Sequence, residues 1–531
     1  MKRWNTWGSE NQALDAKLGP AAMTMLEQLL GKASALPDST LEGVMAKVPA
    51  SRLPQHPLID TGAEIRVRHA RGQSLPDHLA VRSGEFGVFP DGVALPENTE
   101  EVRQLLDFAR DNDITVIPYG GGTSVVGHIN PAEGDRPVLT IAMTRMNALL
   151  HLDKESQIAT FGAGAAGPQL EAQLKEHGYT LGHFPQSWEF ATIGGWIASR
   201  SSGQQSLRYG RIEQLFAGGR MEALNGTLDI PAIPASSAGP DVREMALGSE
   251  GRLGILTEVK VRVTPVAEKE IFHVVFLPSW EAGVNAVRTM AQSRVQLSML
   301  RLSNAVETES MLRMADNQEE VALLEEYLGS KDVGEGKTML TVGITGSENQ
   351  CVPALTLAME ICEEFGGVDT GTHLGEIWAH GRFKGPYLRE PLWQAGYAVD
   401  TMETAINWCD VNASMEKIET AIGSALNDEG ESIHVYTHLS HVYGQGCSLY
   451  STYLFRCADN YEETHKRWQK LKSAGAEAIV ECKGTISHQH GVGTDHKQYL
   501  PAEKGELGMA AIQSLCDLFD PKGLMNPGKL L

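Results

Sequence analysis

An apolar run through Ile114, Val116 and Ile117 stops at Pro118 and opens into Tyr119, Gly120, Gly121, Gly122, Thr123 and Ser124. A strand that ends on three consecutive glycines and two hydroxyl residues can bring its backbone N–H groups against an anion, because no Cβ stands in the way. Three glycines after a strand also make an ordinary turn, so the loop by itself decides nothing. Three segments further along the chain share its character: Gln186, Ser187, Trp188, Glu189, Phe190, Ala191 and Thr192; then Ser199, Arg200, Ser201 and Ser202; then Glu250, Gly251, Arg252, Leu253, Gly254, Ile255 and Leu256. Four such segments in order suit a long dinucleotide, which needs several backbone approaches, hydroxyl donors and counter-charges. The competing nucleotide motifs fail. The chain has no G-x-x-x-x-G-K-[ST], and Gly162, Gly164 and Gly167 only mimic G-x-G-x-x-G, with no acidic residue at the required distance. That cluster reads as a tight strand-to-helix turn.

At 531 residues the chain is too long for a single core and should divide into at least two domains. A net charge of −22 with no block of Lys and Arg excludes a nucleic-acid surface, so an anionic substrate must meet a local cationic site. Seven cysteines, none before Cys351 and none in C-x-x-C, point to reduced thiols and a cytoplasmic location. No apolar stretch approaches the roughly 20 residues of a membrane span, and the start lacks a signal-type apolar region.

Spacing predicts a helical arm over 11–50, a helix over 99–112, strands over 114–117, 138–142 and 157–161, a helix over 167–177 and a strand pair over 252–263. A boundary near 265–269 precedes a second region with a strand at 271–276, a helix at 281–292 and an acidic helix over 317–328. The layout is α+β.

The motifs at 118–124, 190–196 and 245–254 resemble the flavin-binding domain of the vanillyl-alcohol-oxidase type, and the chain as a whole resembles the alkyldihydroxyacetonephosphate (alkylglycerone-phosphate) synthase family. That likeness runs from residues 3–8 through 69–77 to 486–493. It implies a two-part FAD-binding domain, a cap domain on an antiparallel sheet flanked by helices, and FAD held without a covalent bond by the four segments named above. It divides the chain into an arm (1–80), a flavin domain (81–267), a cap (268–500) and a tail returning to the flavin domain (501–531). His128 lacks the context of a covalently attached flavin.

For the reacting groups, His488 and His490 flank Gln489 where the family carries three histidines, and a strand through 487–492 would put both imidazoles on one face. The resemblance implies Tyr450 as the residue that moves a substrate proton, Arg389 as the phosphate ligand and Arg301 as a second arginine needed for activity. Glu403, in a cap motif, is assigned to packing. His434, His438 and His441 raise a metal site. In related flavin-dependent 2-hydroxy-acid dehydrogenases, however, only His441 would match a ligand, and no metal is expected. The function implied is exchange of the acyl chain of acyl-dihydroxyacetone phosphate for a fatty alcohol through a flavin N5 adduct. The alternative is a flavin dehydrogenase acting on a 2-hydroxy acid or related molecule. The resemblance further implies a homodimer, and a lipid substrate allows peripheral membrane contact.

Overall fold

The protein is described by a computed structural model covering every residue except 15, 16 and 316. Its first sheet has four strands in the order Ile59–Asp60, Gly92–Ala94, Val138–Ala142, Thr115–Tyr119, with the last three mutually parallel. The helix Thr99–Asp111 crosses over it. Asn98 caps that helix by accepting the Glu101 N–H, and Glu100 and Glu101 occupy its first turn, where acidic groups favour a helix start. Val102, Leu105, Leu106 and Ala109 recur at helical spacing and pack on Val116, Leu139 and Ile141 of the sheet. Pro118 fits inside Thr115–Tyr119 because the strand lies at the sheet's edge, where a missing donor is tolerated. Beside that edge run residues 524–526: Val116 N donates to Leu524 O, and Asn526 N donates to Val116 O, each at 2.8 Å.

A second, antiparallel sheet has five strands in the order Leu149–Asp153, Ile158–Gly162, Ile255–Arg262, Phe216–Ala223, Gly226–Ile230. The expected strand pair over 252–263 is a single strand at Ile255–Arg262. Residues 248–254 form a turn instead, since Gly248 and Gly251 take φ of 74° and 76° and a Cβ on Gly254 would lie 2.5 Å from Glu222 O.

The third sheet has seven antiparallel strands in the order Val368–Asp369, Lys269–Leu277, Thr338–Gly346, Met299–Ser303, His434–Val442, Gly446–Arg456, Tyr397–Asn407. Alternation along the strands sorts its two faces. Leu300, Leu302, Leu439, Leu449, Tyr453 and Met402 pack beneath the helices Trp280–Gln292, Val411–Ser424 and Tyr461–Glu481. Arg301, Tyr436, His438, Tyr450, Thr452, Val399 and Thr401 face a cavity on the other side.

Among the described residues of the predicted helical arm, outside which 15 and 16 lie, there are two short helices, Pro20–Leu30 and Leu41–Met45, joined by chain without regular structure. Gly31 at φ 82° ends the first, whose Leu26 and Leu30 sit on Leu392, Tyr397 and Leu454 of the third sheet region. All seven cysteines are thiols. Among the described residues no helix is long and apolar enough to cross a membrane.

Candidate functional site

One cavity of about 730 Å³ connects the glycine loop to the inner face of the seven-stranded sheet. At one end of it the loop after Thr115–Tyr119 is packed back to back on residues 190–192. A Cβ on Gly120 would come within 2.3 Å of Thr192 Oγ1, and one on Gly121 within 1.8 Å of Phe190 O. The glycines therefore serve loop-to-loop packing as well as ligand approach. Thr192 caps the helix Ile193–Ser199 through its hydroxyl, and Arg200 ends it in the left-handed region at φ 55°.

The N–H groups of Gly121, Gly122, Thr123 and Ser124 donate to no described protein acceptor, although the loop lines the cavity. The Ser202 hydroxyl, another lining group, is buried without a partner. Unclaimed donors of this kind are costly in the bare protein and fit the diphosphate and polar edges of a dinucleotide.

Of the expected cofactor contacts, Pro118 to Ser124, Gln186, Ser187, Ala191, Thr192, Ser199, Ser201, Ser202, Glu250, Gly251, Gly254, Ile255 and Leu256 line this cavity. The remainder turn away. Trp188 stacks on Phe383, Phe190 packs edge-on to Trp7, and Glu189 accepts from Trp7 Nε1 and Tyr387 Oη. Arg200 pairs with Glu244, Arg252 donates to Met525 O, and Leu253 joins the core.

Glu250, at φ 51°, reaches out of its turn to accept the N–H groups of Val492 at 2.5 Å and Gly493 at 2.8 Å. The histidine segment is thereby tied to the glycine-rich turn at 248–254. No strand forms over 487–492, contrary to the sequence expectation. Gly491 and Gly493 take φ of 86° and 54°, and Cβ atoms there would strike His128 and Val126 O. The segment is an irregular loop held on its other side by Glu403, whose Oε1 accepts the Gln489 N–H at 2.6 Å and the His490 N–H at 2.7 Å.

This loop sends its two imidazoles in different directions. His490 lines the cavity in edge contact with Tyr450, ring centroids 5.7 Å apart. His488 turns behind it, where Arg211 donates to Nε2 at 2.6 Å, Tyr443 Oη stands at the same distance from that nitrogen, and His441 lies against its ring. Burial lowers both imidazoles from their ordinary value despite the Glu403 carboxylate. Burial would raise the Glu403 carboxyl, but His490, His488 and the Gln489 N–H outweigh it and hold the group below the usual carboxylate range. Glu403 is thus a fully enclosed anion supporting two imidazoles, not a packing residue.

Tyr450 donates to Thr401 Oγ1 at 3.1 Å and stacks on His438, and burial raises its phenol above the ordinary value. Arg301 is spoken for: it donates to Glu307 and Ser303 at 2.7 Å and to His438 Nδ1 at 3.1 Å. Arg389 is different. It donates to Gln73 O at 2.6 Å, and its guanidinium, its charge disfavoured by burial, borders the cavity with donors to spare.

The three histidines weighed as metal ligands have separate partners: Ser310 for His434, Arg301 and Glu307 for His438, Gly203 O and Ser440 for His441. Among the described residues no group of three or more His, Cys, Asp or Glu is placed to hold a metal.

Two family models match the chain: an FAD binding domain over residues 90–228 and the C-terminal domain of FAD linked oxidases over residues 266–530. An alkyldihydroxyacetonephosphate synthase of Trypanosoma brucei brucei is 30% identical, covering 88% of this chain and 78% of that protein. That of Dictyostelium discoideum is 31% identical, covering 88% and 77%. The chain belongs to the alkyldihydroxyacetonephosphate synthase family. A solved structure of a synthase of this name superposes with a TM-score of 0.85 at 26% identity, over 99% of this chain and 98% of the other. The α+β arrangement of a flavin domain and an antiparallel cap is therefore the family fold, and the protein is an FAD-dependent enzyme.

Proposed function

We propose that the chain exchanges the acyl group of an acyl-dihydroxyacetone phosphate for a long-chain alkoxy group. The observation carrying this reading is the convergence, on one cavity, of a half-buried arginine with donors to spare, a half-buried phenol beside an imidazole, and an apolar wall. Arg389 supplies a planar fork for the phosphate, which suits a dianion better than a flexible ammonium would. The wall of Met299, Met311, Ile377, Leu388, Val399 and Leu454 accepts a hydrocarbon chain.

In this reaction one C–O bond, to the departing carboxylate, breaks and another, to the alcohol oxygen, forms, with no net oxidation. Bound FAD supplies a ring nitrogen able to lend and recover an electron pair at the reacting carbon. Residues 118–124, 186–187, 191–192, 199, 201–202, 250–251 and 254–256 hold the cofactor. Tyr450 Oη and the His490 ring move the proton between substrate and alcohol, in the range of catalytic gain typical for positioned acid–base groups. His488 supports His490 through the shared Glu403, and Arg301, already neutralised by Glu307, orients the sheet face rather than meeting a free anion. Residues 81–267 as flavin domain, 268–500 as cap, a homodimer in the cytoplasm and peripheral contact with a lipid surface complete the proposal. The dehydrogenase alternative has less family support.

The test is to mix purified, FAD-loaded protein with palmitoyl-dihydroxyacetone phosphate and hexadecanol. The expected products are alkyl-dihydroxyacetone phosphate and free palmitate. Absence of both, together with an unchanged flavin spectrum on adding the acyl substrate, overturns the reading.

A further inference from the structure

Across the cavity face of the seven-stranded sheet one row spans neighbouring strands: Ser303, His438, Tyr450 and Glu403 stand opposite one another in register. Tyr450 and Glu403 serve the proton chemistry, and Ser303 accepts from Arg301. His438 alone in this row has no task. Yet it lines the cavity while only 9% exposed, and its ring stacks on that of Tyr450, with centroids 5.0 Å apart and planes 19° apart.

Its two ring nitrogens differ. Nδ1 lies 3.1 Å from Arg301 Nη2 and 3.2 Å from Glu307 Oε1. A guanidinium can only donate, and Nη2 carries two hydrogens. One goes to Glu307 Oε1 at 2.7 Å, so the other falls to Nδ1, where a ring proton would meet it head-on. The ring proton therefore sits on Nε2. That nitrogen bonds to no described protein group and is not sealed off, so it presents an N–H to the cavity. Burial and then the Arg301 charge lower this imidazole, which keeps it a neutral donor.

Its place suits one end of the substrate. In the exchange proposed above, on which this inference rests, Arg389 holds the phosphate. The helix Arg389–Gln394 leads into the strand Tyr397–Asn407; burial disfavours the guanidinium's charge, and Asp400 of that strand favours it. Tyr450 lies one strand further across the sheet and His438 two, each step being about 4.8 Å. His438 is thus the farther of the two from the phosphate. Around it Met299, Met311 and Tyr436 also line the cavity, two residues from Arg301, one helical turn from Glu307 and two residues from His438 itself. An acyl group, polar at its carboxyl and apolar beyond, matches that order.

We propose that His438 is a further catalytic residue, donating its Nε2 hydrogen bond to the acyl carboxyl oxygen and then to the departing carboxylate, with Arg301 as the positioning residue that fixes its tautomer. As the C–O bond breaks, its electron pair leaves with the carboxylate. The proton stays on Nε2 throughout.

The test is release of labelled fatty acid in a single turnover, with FAD-loaded enzyme in excess and hexadecanol present, from palmitoyl- and from α,α-difluoropalmitoyl-dihydroxyacetone phosphate. A glutamine amide reaches the position of Nε2, an asparagine amide only that of Nδ1. His438→Gln should stay within about tenfold of wild type, while His438→Asn should release palmitate about 10²- to 10³-fold more slowly. The less basic difluoropalmitate needs less help in leaving, so with it the His438→Asn deficit should shrink to about tenfold. If His438→Asn does not retain FAD, His438→Leu takes its place. The role is overturned if the variant without the donor matches wild type, if it and His438→Gln lose rate equally, or if its deficit is the same for both acyl groups. A wild type that releases neither acid overturns the exchange itself, and the role of His438 with it.

Discussion

The Glu403 carboxylate concentrates the proton chemistry of the site in one buried group. It fixes the backbone at Gln489 and His490 and sets the electrostatics of two imidazoles. Glu403→Gln keeps the volume and one acceptor but removes the charge, and should lower kcat by roughly 10- to 100-fold, or about 1.4–2.7 kcal/mol, with FAD content unchanged. Steady-state kinetics beside flavin absorbance checks it. Tyr450→Phe deletes the hydroxyl that reaches Thr401, and turnover should fall by about 10²- to 10⁴-fold without loss of cofactor. Unaltered turnover in that variant would remove the phenol from the mechanism. At this scale the sequence singles out Tyr450, Arg389 and His490 through the family resemblance of the segments around them, and the fold brings all three to the wall of one cavity. It marks Glu403 only as a packing residue and gives no sign of Arg211 or Tyr443, because strand register and a distant loop bring them together: Glu403 stands opposite Tyr450 across two paired strands, and Arg211 meets His488 from 277 residues away.

Among the elements, those with strong local signals are the legible ones. The helix Thr99–Asp111 and the strand Val138–Ala142 follow from capping, spacing and an apolar run. The strand expected from residue 252 begins only at Ile255, after the turn in which Gly251 takes a positive φ, and none forms over 487–492, where Gly491 and the following Gly493 take positive φ to fit loops far away in sequence. Asn98→Ala removes the side chain that caps Thr99–Asp111 and should cost about 1 kcal/mol, read as a lower Tm or denaturation midpoint. Gly121→Ala should be far more severe. Its new Cβ would sit 1.8 Å from Phe190 O, so the loop must leave residues 190–192, and the protein should purify without the yellow of bound FAD. Retention of stoichiometric flavin in that variant would show that the loop is not the diphosphate wall.

For the molecule as a whole, buried histidines dominate the response to acid. Burial lowers His78, His183, His441, His490 and His496, with His183 and His496 at about 3. A depressed histidine stays neutral in the folded chain while the unfolded chain takes up a proton. Its stabilisation is therefore complete above the ordinary value of about 6.5 and drains away as pH falls toward the folded values. Each contributes up to about 1.4 kcal/mol per pH unit over that window. The expected outcome, measured by scanning calorimetry at matched ionic strength, is a Tm nearly flat from about pH 7 to 8 that drops steeply between about pH 6.5 and 4. A Tm independent of pH across that interval would mean that these imidazoles are not held neutral.

The backbone pairing of Val116 with Leu524 and Asn526, and the Asn526 amide bridging His128 O and Glu250 O, carry a consequence for synthesis. Two walls of the cofactor pocket are made within the first half of the chain, yet the clasp joining them is translated some four hundred residues after the glycine loop. A nascent chain can thus shape the glycine loop early but cannot close it on flavin until residue 526 has left the ribosome, so the vitamin-derived group should be a late arrival, added to an almost finished protein.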